Sequence, residues 1–253
     1  MSDLVSRIQP FLEPAQALLQ RHPRTIASTT LAAVLLPWFV DNYRKWRDLG
    51  GLGLPNYVGW PMALLAKPFG RETTSTGMYD ANPIKGSWLK DPDTIPERRG
   101  DRPITGWHFV PHRQLNRIPT EDIKKRLKEI FDKHAKANSD LVEVTISPHE
   151  QAHDGLVIAS ARATPHAVAK HALREIAHFH HVKDYSMHMV LAPQDCKLLI
   201  ERGWAERHPI SGTIALPQEY LFVYAPRNEE ELDVVERILV AAIGYMTDSR
   251  TVN

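Results

Sequence analysis

Apolar residues in the C-terminal half of the chain recur at two periods, and the switches between them mark the elements. Thr120 stands where a helix cap belongs. Ile123, Leu127, Ile130 and Phe131 then make one stripe, and Lys124, Lys125, Lys128 and Glu129 take the wet face. Residues 141–147 (LVEVTIS) and 156–161 (LVIASA) alternate or run apolar with β-branched residues and predict strands. Thr164-Pro165 predicts a helix start with proline at the first helical position. In 186–192 (SMHMVLA), Met187, Met189 and Leu191 share one face of a strand, which leaves His188 on the other. Residues 193–202 predict a short helix stopped by Gly203, and 219–226 (EYLFVYAP) a central strand. Asn228 with Glu231 predicts a capping box for a long last helix through Leu232, Val235, Ile238, Leu239, Ala242, Ile243 and Met246. Strands and helices mix without a βαβ rhythm. The expected fold is α+β, a mixed or antiparallel sheet with flanking helices.

The N-terminal third has a different pattern. Residues 25–40 (TIASTTLAAVLLPWFV) carry no charge, with Arg21 and Arg24 before them and Arg44, Lys45 and Arg47 after. The run is shorter than the ~20 residues that span a bilayer core, and Pro37 interrupts it, but Trp38 and Tyr43 supply an interfacial aromatic flank. Pro10, Pro14 and the late start argue against a cleaved signal peptide. Residues 51–69, rich in Gly, Pro and apolar side chains around Trp60, suit a membrane interface. Residues 1–48 therefore read as a helical membrane-anchor region, spanning or lying on the bilayer; a buried core helix is the competing reading. From 70 to 104 the chain is punctuated by Gly70, Gly77, Pro83, Gly86, Pro92, Pro96, Gly100 and Pro103. This makes 49–119 an extended, loop-rich segment that wraps an α+β catalytic domain at 120–253.

Composition narrows the functional classes. At 43% apolar and 24% charged residues over 253 positions the chain is globular, not disordered or collagenous. Thirty-one Lys+Arg against 30 Asp+Glu leave a charge of +1, so a nucleic-acid partner has no electrostatic footprint. The one cysteine, Cys196, cannot form an internal disulfide or a cysteine-based zinc site, which points to an intracellular protein; its apolar helix makes it structural. There is no Ser-His-Asp order, nucleophile elbow, dinucleotide fingerprint or phosphate loop.

The 13 histidines are unevenly placed. In 174–209, a strand reading puts His178 and His180 on one face, and a turn at 183–186 returns His188 beside them, with Glu175 and His208 near. A helical reading would instead stack His171, Glu175 and His178, but the strand is preferred. Two chemistries compete for such a cluster. Three neutral imidazoles, His178, His180 and His188, are ligands for zinc, iron, copper or nickel. Without metal, histidines near their ordinary pKa of ~6.5 serve as general base and acid. Arg207, next to His208, would hold a carboxylate or enolate oxygen, its bland alternative being a surface ion pair. Trp204 and Tyr224 would wall a planar aromatic substrate, or simply belong to the core.

The stretches 174–180 (REIAHFH), 187–195 (MHMVLAPQD), 203–209 (GWAERHP) and 224–231 (YAPRNEEE), with 243–247 (IGYMT), resemble the fungal luciferase family. Upstream, 77–80 (GMYD), 102–105 (RPIT) and Arg113-Gln114 have look-alike positions, so the resemblance covers most of the chain. It implies a membrane-associated oxygenase, on endomembranes, that oxidises 3-hydroxyhispidin, an α-pyrone, with molecular oxygen as co-substrate and no organic cofactor. Its positions here include Glu175, His178, His180, His188, Trp204, Arg207, His208, Tyr224 and Arg227. Residues 181–183, 212–218 and much of 84–100 differ from the luminous enzymes, which separates light emission from family membership. Within that frame we assign His178 and His188 as general base and oxygen-facing groups, with His180 orienting. Arg207 and His208 would bind the enolate, Glu175 would fix a tautomer, and Trp204, Tyr224 and Arg227 would contact substrate. The rival functions are a metal-dependent hydrolase or lyase of pyrones or β-diketones, and a membrane-tethered small-molecule carrier.

Overall fold

The uncharged run 25–40 lies within a helix, α1 (Pro23–Asp48), of 26 residues with Pro37 in its interior. This is a computed structural model that describes Pro14 and residues 16–253; the first stretch of the expected anchor region, 1–13 and 15, lies outside the described residues. Among the described residues no helix is long and apolar enough to cross a membrane. The reason is in the sequence of α1. Thr25, Ser28, Thr29 and Thr30 dilute its first half, and Asp41, Arg44, Lys45, Arg47 and Asp48 charge its end. The expectation of a spanning anchor is not supported.

The chain divides after Asp48, and residues 49–253 form the second compact unit. The region 49–119 is not all loop. It holds the helix α2 (Asn56–Ala66), the helical turn α3 (Gly77–Asp80) and an antiparallel hairpin, β1 (Thr105–Phe109) with β2 (His112–Gln114). Helix α4 (Glu121–Ala137) follows, its Ile123 N–H donating to the Thr120 hydroxyl at 3.5 Å.

The sheet has six antiparallel strands: β3 (Val142–Ile146), β4 (Asp154–Ile158), β5 (Glu175–Phe179), β6 (Met187–Val190), β7 (Ala205–Arg207) and β8 (Tyr220–Val223). Their spatial order is β3-β4-β5-β6-β8-β7. The strand expected to be central, β8, lies one in from the edge, with β7 along its outer side. Helices α5 (Ala167–His171), α6 (Pro193–Glu201) and α7 (Glu229–Thr247) complete the unit. The helix expected to begin at Pro165 starts two residues later, because His166 caps it: the Ala169 N–H donates to His166 Nδ1 at 3.2 Å. Only half of the expected capping box forms on α7. Asn228 accepts from the Glu231 N–H at 3.0 Å, but the Glu231 carboxylate turns to Arg98 and Arg227.

Strand register decides which side chains meet. Thr145, Gly155, His178, His188, Phe222 and Glu206 pair in succession across the sheet, and cross-strand partners share a face. Leu156, Ala177, Met189, Leu221 and Arg207 pair along the next row and point to the opposite face. On that second face α7 packs over β5 and β6. The apolar core is there, with Leu156, Met189, Leu221, Ile238 and Ala242 all fully buried.

Candidate active site

The hairpin of β5 and β6 sets His178 opposite His188, and His180, two residues beyond His178, follows on the same face. The three rings form a near-equilateral triangle, 5.1–5.3 Å between centroids. None is more than 1% exposed.

Each ring is oriented by its Nδ1. His178 Nδ1 lies 2.6 Å from Glu175 Oε1. His180 Nδ1 lies 2.9 Å from Ser186 Oγ, whose hydroxyl is committed to donating to Asp184 at 2.6 Å. His188 Nδ1 lies 3.3 Å from the Leu221 carbonyl. Every one of these partners accepts, so the neutral rings carry their proton on Nδ1. Their Nε2 lone pairs are left facing inward, and none of the three Nε2 atoms has a hydrogen-bond partner.

Glu175 reaches this face through a β-bulge. By simple alternation it belongs with Ala177 on the core side. The register shifts between Leu156 and Val157, so that Glu175 pairs with Val157, and its carboxylate swings to the histidine side. Ser147 Oγ donates to Glu175 Oε2 at 2.5 Å, and the Tyr220 hydroxyl lies 3.4 Å from Oε1. Gly155 makes room. A Cβ there would stand 3.1 Å from Ser147 Cα and 3.4 Å from Glu175 Oε2.

The fourth member comes from the loop between β3 and β4. Glu150 Oε1 lies 3.9 Å from His178 Nε2, 3.7 Å from His180 Nε2 and 4.0 Å from His188 Nε2. One donor atom from each of Glu150, His178, His180 and His188 falls within a 4.8 Å group that could hold a metal ion. Arg113 on β2 grips both oxygens of Glu150, Nη1 donating to Oε1 at 2.9 Å and Nη2 to Oε2 at 2.5 Å. It also donates to His153 Nε2 at 3.0 Å.

A second grouping, His112, His188 and His208, is of similar size. Its His208 is already committed: Nε2 donates to the Phe109 carbonyl at 3.0 Å and Nδ1 accepts from the Ile210 N–H at 3.3 Å. His112 Nε2 faces Glu206 at 2.9 Å. His208 thus has both nitrogens engaged, whereas His112 Nδ1 is buried with no hydrogen-bond partner.

Burial and neighbouring charge set the protonation states. Burial disfavours the Glu150 carboxylate, but Arg113 and His180 outweigh it and hold the group well below its ordinary range. Burial also opposes a charge on His178, yet Glu175 and Glu150 push it up to about 9. His188 and His208 are lowered well below 6.5, by burial first and then by the neighbouring imidazoles. His153 falls to about 3 through burial, His180 and Arg113. With protons as the only cations, the cluster thus concentrates its positive charge on His178 and keeps His188 neutral.

A cavity of ≈ 170 Å³ opens beside His188 and Glu150, walled by Phe109, Pro111, His208 and Tyr220 together with Leu52, Ile210 and Leu216. His149 also lines it. Its Nε2 donates to the Ala172 carbonyl at 3.1 Å and burial lowers its pKa, so the ring is neutral, with Nδ1 as its acceptor. A dry cavity of about 150 Å³ accommodates benzene, so this space takes one six-membered ring.

The sequence-derived set divides in two. Glu175, His178, His180, His188 and His208 come together. Arg207, Trp204, Tyr224 and Arg227 do not join them. Arg207 sits on the row facing away from the histidines. Its guanidinium binds Ser75 Oγ at 2.9 Å, together with the Glu72 carbonyl, and so pins the 72–78 segment. Tyr224 donates to Glu206 at 2.8 Å and Trp204 Nε1 to the Pro96 carbonyl at 2.6 Å; Arg98 lies over both rings, 5.5 Å from each centroid. Arg227 pairs with Glu231. Together these make a structural cluster at the start of α7.

Sequence reasoning missed Glu150, Arg113, His149, Ser147 and His112. One local signal existed, the run His149-Glu150-x-x-His153. On a helix that spacing turns both histidines to a zinc ion. Here it lies in a loop, both histidines point elsewhere, and the glutamate joins the cluster.

Residues 173–242, which carry β5, β6 and most of α7, match the luciferase domain. A luciferase of Armillaria mellea is 34% identical over 239 residues, 88% of each chain. A luciferase of Neonothopanus nambi is 32% identical over 242 residues, 86% of this chain and 84% of that one. No solved structure matches. Likeness over nearly nine-tenths of the length, at this identity, shows that the chain belongs to the fungal luciferase family.

Proposed function

We propose that the protein is an oxygenase that adds molecular oxygen to an enolic hydroxypyrone of the 3-hydroxyhispidin type. The observation that carries this reading is the adjacency of a ring-sized, apolar-walled cavity to a buried face of lone-pair-bearing imidazoles. The pyrone ring occupies the cavity and the styryl arm leaves past Leu52, Ile210 and Leu216. His149, neutral and with Nδ1 as acceptor, takes the enol proton. The histidine cluster beside His188 supplies the positive potential that stabilises the enolate. Phe109, Pro111 and Tyr220 keep water from the peroxide formed when oxygen adds to that enolate. The peroxide closes on the lactone carbonyl and carbon dioxide leaves. One oxygen atom departs in carbon dioxide and the other stays in the carbonyl product, so the substrate supplies all the electrons. His208, with both nitrogens engaged, positions the ring. Helix α1, with Leu31, Val34, Leu36 and Trp38 exposed, would rest on a membrane surface without crossing it.

The test is oxygen uptake with light detection when purified protein meets 3-hydroxyhispidin. Uptake that scales with enzyme supports the reading, with or without photons; none from folded protein overturns it. The second reading, a lyase or hydrolase that uses the four-residue cluster to activate water, predicts turnover that continues without oxygen.

A further inference from the structure

We propose that Glu150, His178, His180 and His188 bind one divalent first-row transition-metal ion, with the open side of the site towards the cavity. Three independent features of the cluster point there. The first is the direction of the lone pairs. Acceptors hold all three Nδ1 atoms, and three buried Nε2 atoms without a hydrogen-bond partner converge on Glu150 Oε1, which itself accepts from Arg113 Nη1 at 2.9 Å. Three bare imidazole nitrogens beside a carboxylate oxygen are satisfied only by a cation or by extra protons. A buried acceptor left without a partner is destabilising, so leaving all three nitrogens bare is not a stable alternative.

The second is the support behind the ligands. Imidazoles that bind metal characteristically donate their other nitrogen to a carboxylate or carbonyl. Here the supports are Glu175 for His178, the Ser186–Asp184 pair for His180, and the Leu221 carbonyl for His188. Arg113 plays the same part for Glu150. The third is charge. Glu150, Glu175 and Asp184 are buried around the cluster against the single guanidinium of Arg113, and a divalent ion balances the remainder.

Size and donor type narrow the ion. Donors at ~2.1 Å from a metal stand about 3.0–3.5 Å from one another. The distances of 3.7–4.0 Å from Glu150 to the imidazoles are a few tenths of an ångström wider, within reach of small side-chain adjustments. Three imidazoles and one carboxylate suit iron(II), manganese(II), cobalt(II), copper(II) or zinc, and disfavour magnesium and calcium, which prefer all-oxygen shells.

This inference concerns binding and stands apart from the oxygenation chemistry, so each can fail alone. The experiment uses tag-free full-length protein, stripped with a chelator and titrated with cobalt(II), followed by its visible ligand-field bands and by equilibrium dialysis. The expected result is one ion per chain, displaced by zinc or iron(II) and not by equal magnesium or calcium. Glu175→Gln, which removes the carboxylate that supports His178 and leaves the four ligands in place, should weaken binding by about 10–100-fold. Glu150→Gln and His180→Ala should weaken it further. His171→Ala, at an exposed histidine that meets the Ile214 carbonyl, should bind like wild type. If the ligand variants do not fold, the wild-type stoichiometry and the Glu175→Gln shift decide. Folded wild type that takes up no stoichiometric cobalt(II), or ligand variants that bind it unchanged, would overturn the proposal. Oxygen uptake by metal-free protein together with absent cobalt binding would leave the oxygenase standing and remove the metal.

Discussion

On the helix side of the sheet, Leu156, Ala177, Met189 and Leu221 meet the apolar stripe of α7; one residue along each strand, Gly155, His178, His188 and Phe222 face a nest of carboxylates and imidazoles. Both faces are buried, but what holds each together differs. The first is dry and is stabilised by area and packing, at roughly 25 cal/mol per Å² of apolar surface removed from water. The second gains little from area. Each polar atom on it needs a named partner, and the residual cost of those that lack one falls on the site. A two-residue period therefore lets the same strands carry the apolar core on one side and, under the proposed function, the chemistry on the other.

Neighbouring residues test that division. His188→Ala should lower oxygen uptake by ~100-fold or more while shifting the urea midpoint little, because the group removed is a lone pair and not a packed hydrocarbon. Uptake near the wild-type rate would remove the histidine face from the mechanism. Its neighbour Met189→Ala should do the reverse. A fully buried side chain cut to a methyl costs about 2–5 kcal/mol, read from urea unfolding, with uptake per folded molecule retained. Gly155→Ala adds a Cβ at 3.1 Å from Ser147 Cα on the histidine face, and should cost about 1–3 kcal/mol and disturb the Glu175–His178 pair. A stability loss with unchanged turnover would show that the pair tolerates displacement.

The smallest effect concerns the cluster that sequence reasoning had assigned to substrate. Burial works against ionised Glu231, but Arg227 and Arg98 lower its pKa below the ordinary value. A carboxylate whose folded pKa lies below its unfolded value stabilises above the unfolded value and loses that contribution as pH falls through the folded one. Wild type should therefore exceed Glu231→Gln in stability at neutral pH, and the gap should close on acidification below about pH 4. Equal stability at both pH values would show the ion pair to be idle, and a change in turnover at neutral pH would return Arg227 and its neighbours to the site.

The alternation of Met187, His188 and Met189 made the β5–β6 hairpin and its three histidines legible, because side-chain direction in a strand follows from position alone. That same rule misplaces Glu175, since a bulge is a feature of pairing between strands and leaves no mark in the local pattern. It also explains Arg207. Its neighbours Glu206 and His208 belong to the histidine side, and parity turns the arginine away from it. Glu150 and Arg113 come from a loop and a short hairpin far along the chain, where no periodicity reports on direction. The uncharged run at 25–40 showed a helix correctly, but its apolar length fell short of a span because the same helix runs on into the charged residues 41–48.

Turnover of 3-hydroxyhispidin by the wild-type protein under isotopically heavy oxygen gas tests the central claim most directly. The account predicts one labelled atom in the released carbon dioxide and one in the carbonyl product. Unlabelled carbon dioxide, or product formed equally well without oxygen, would contradict it.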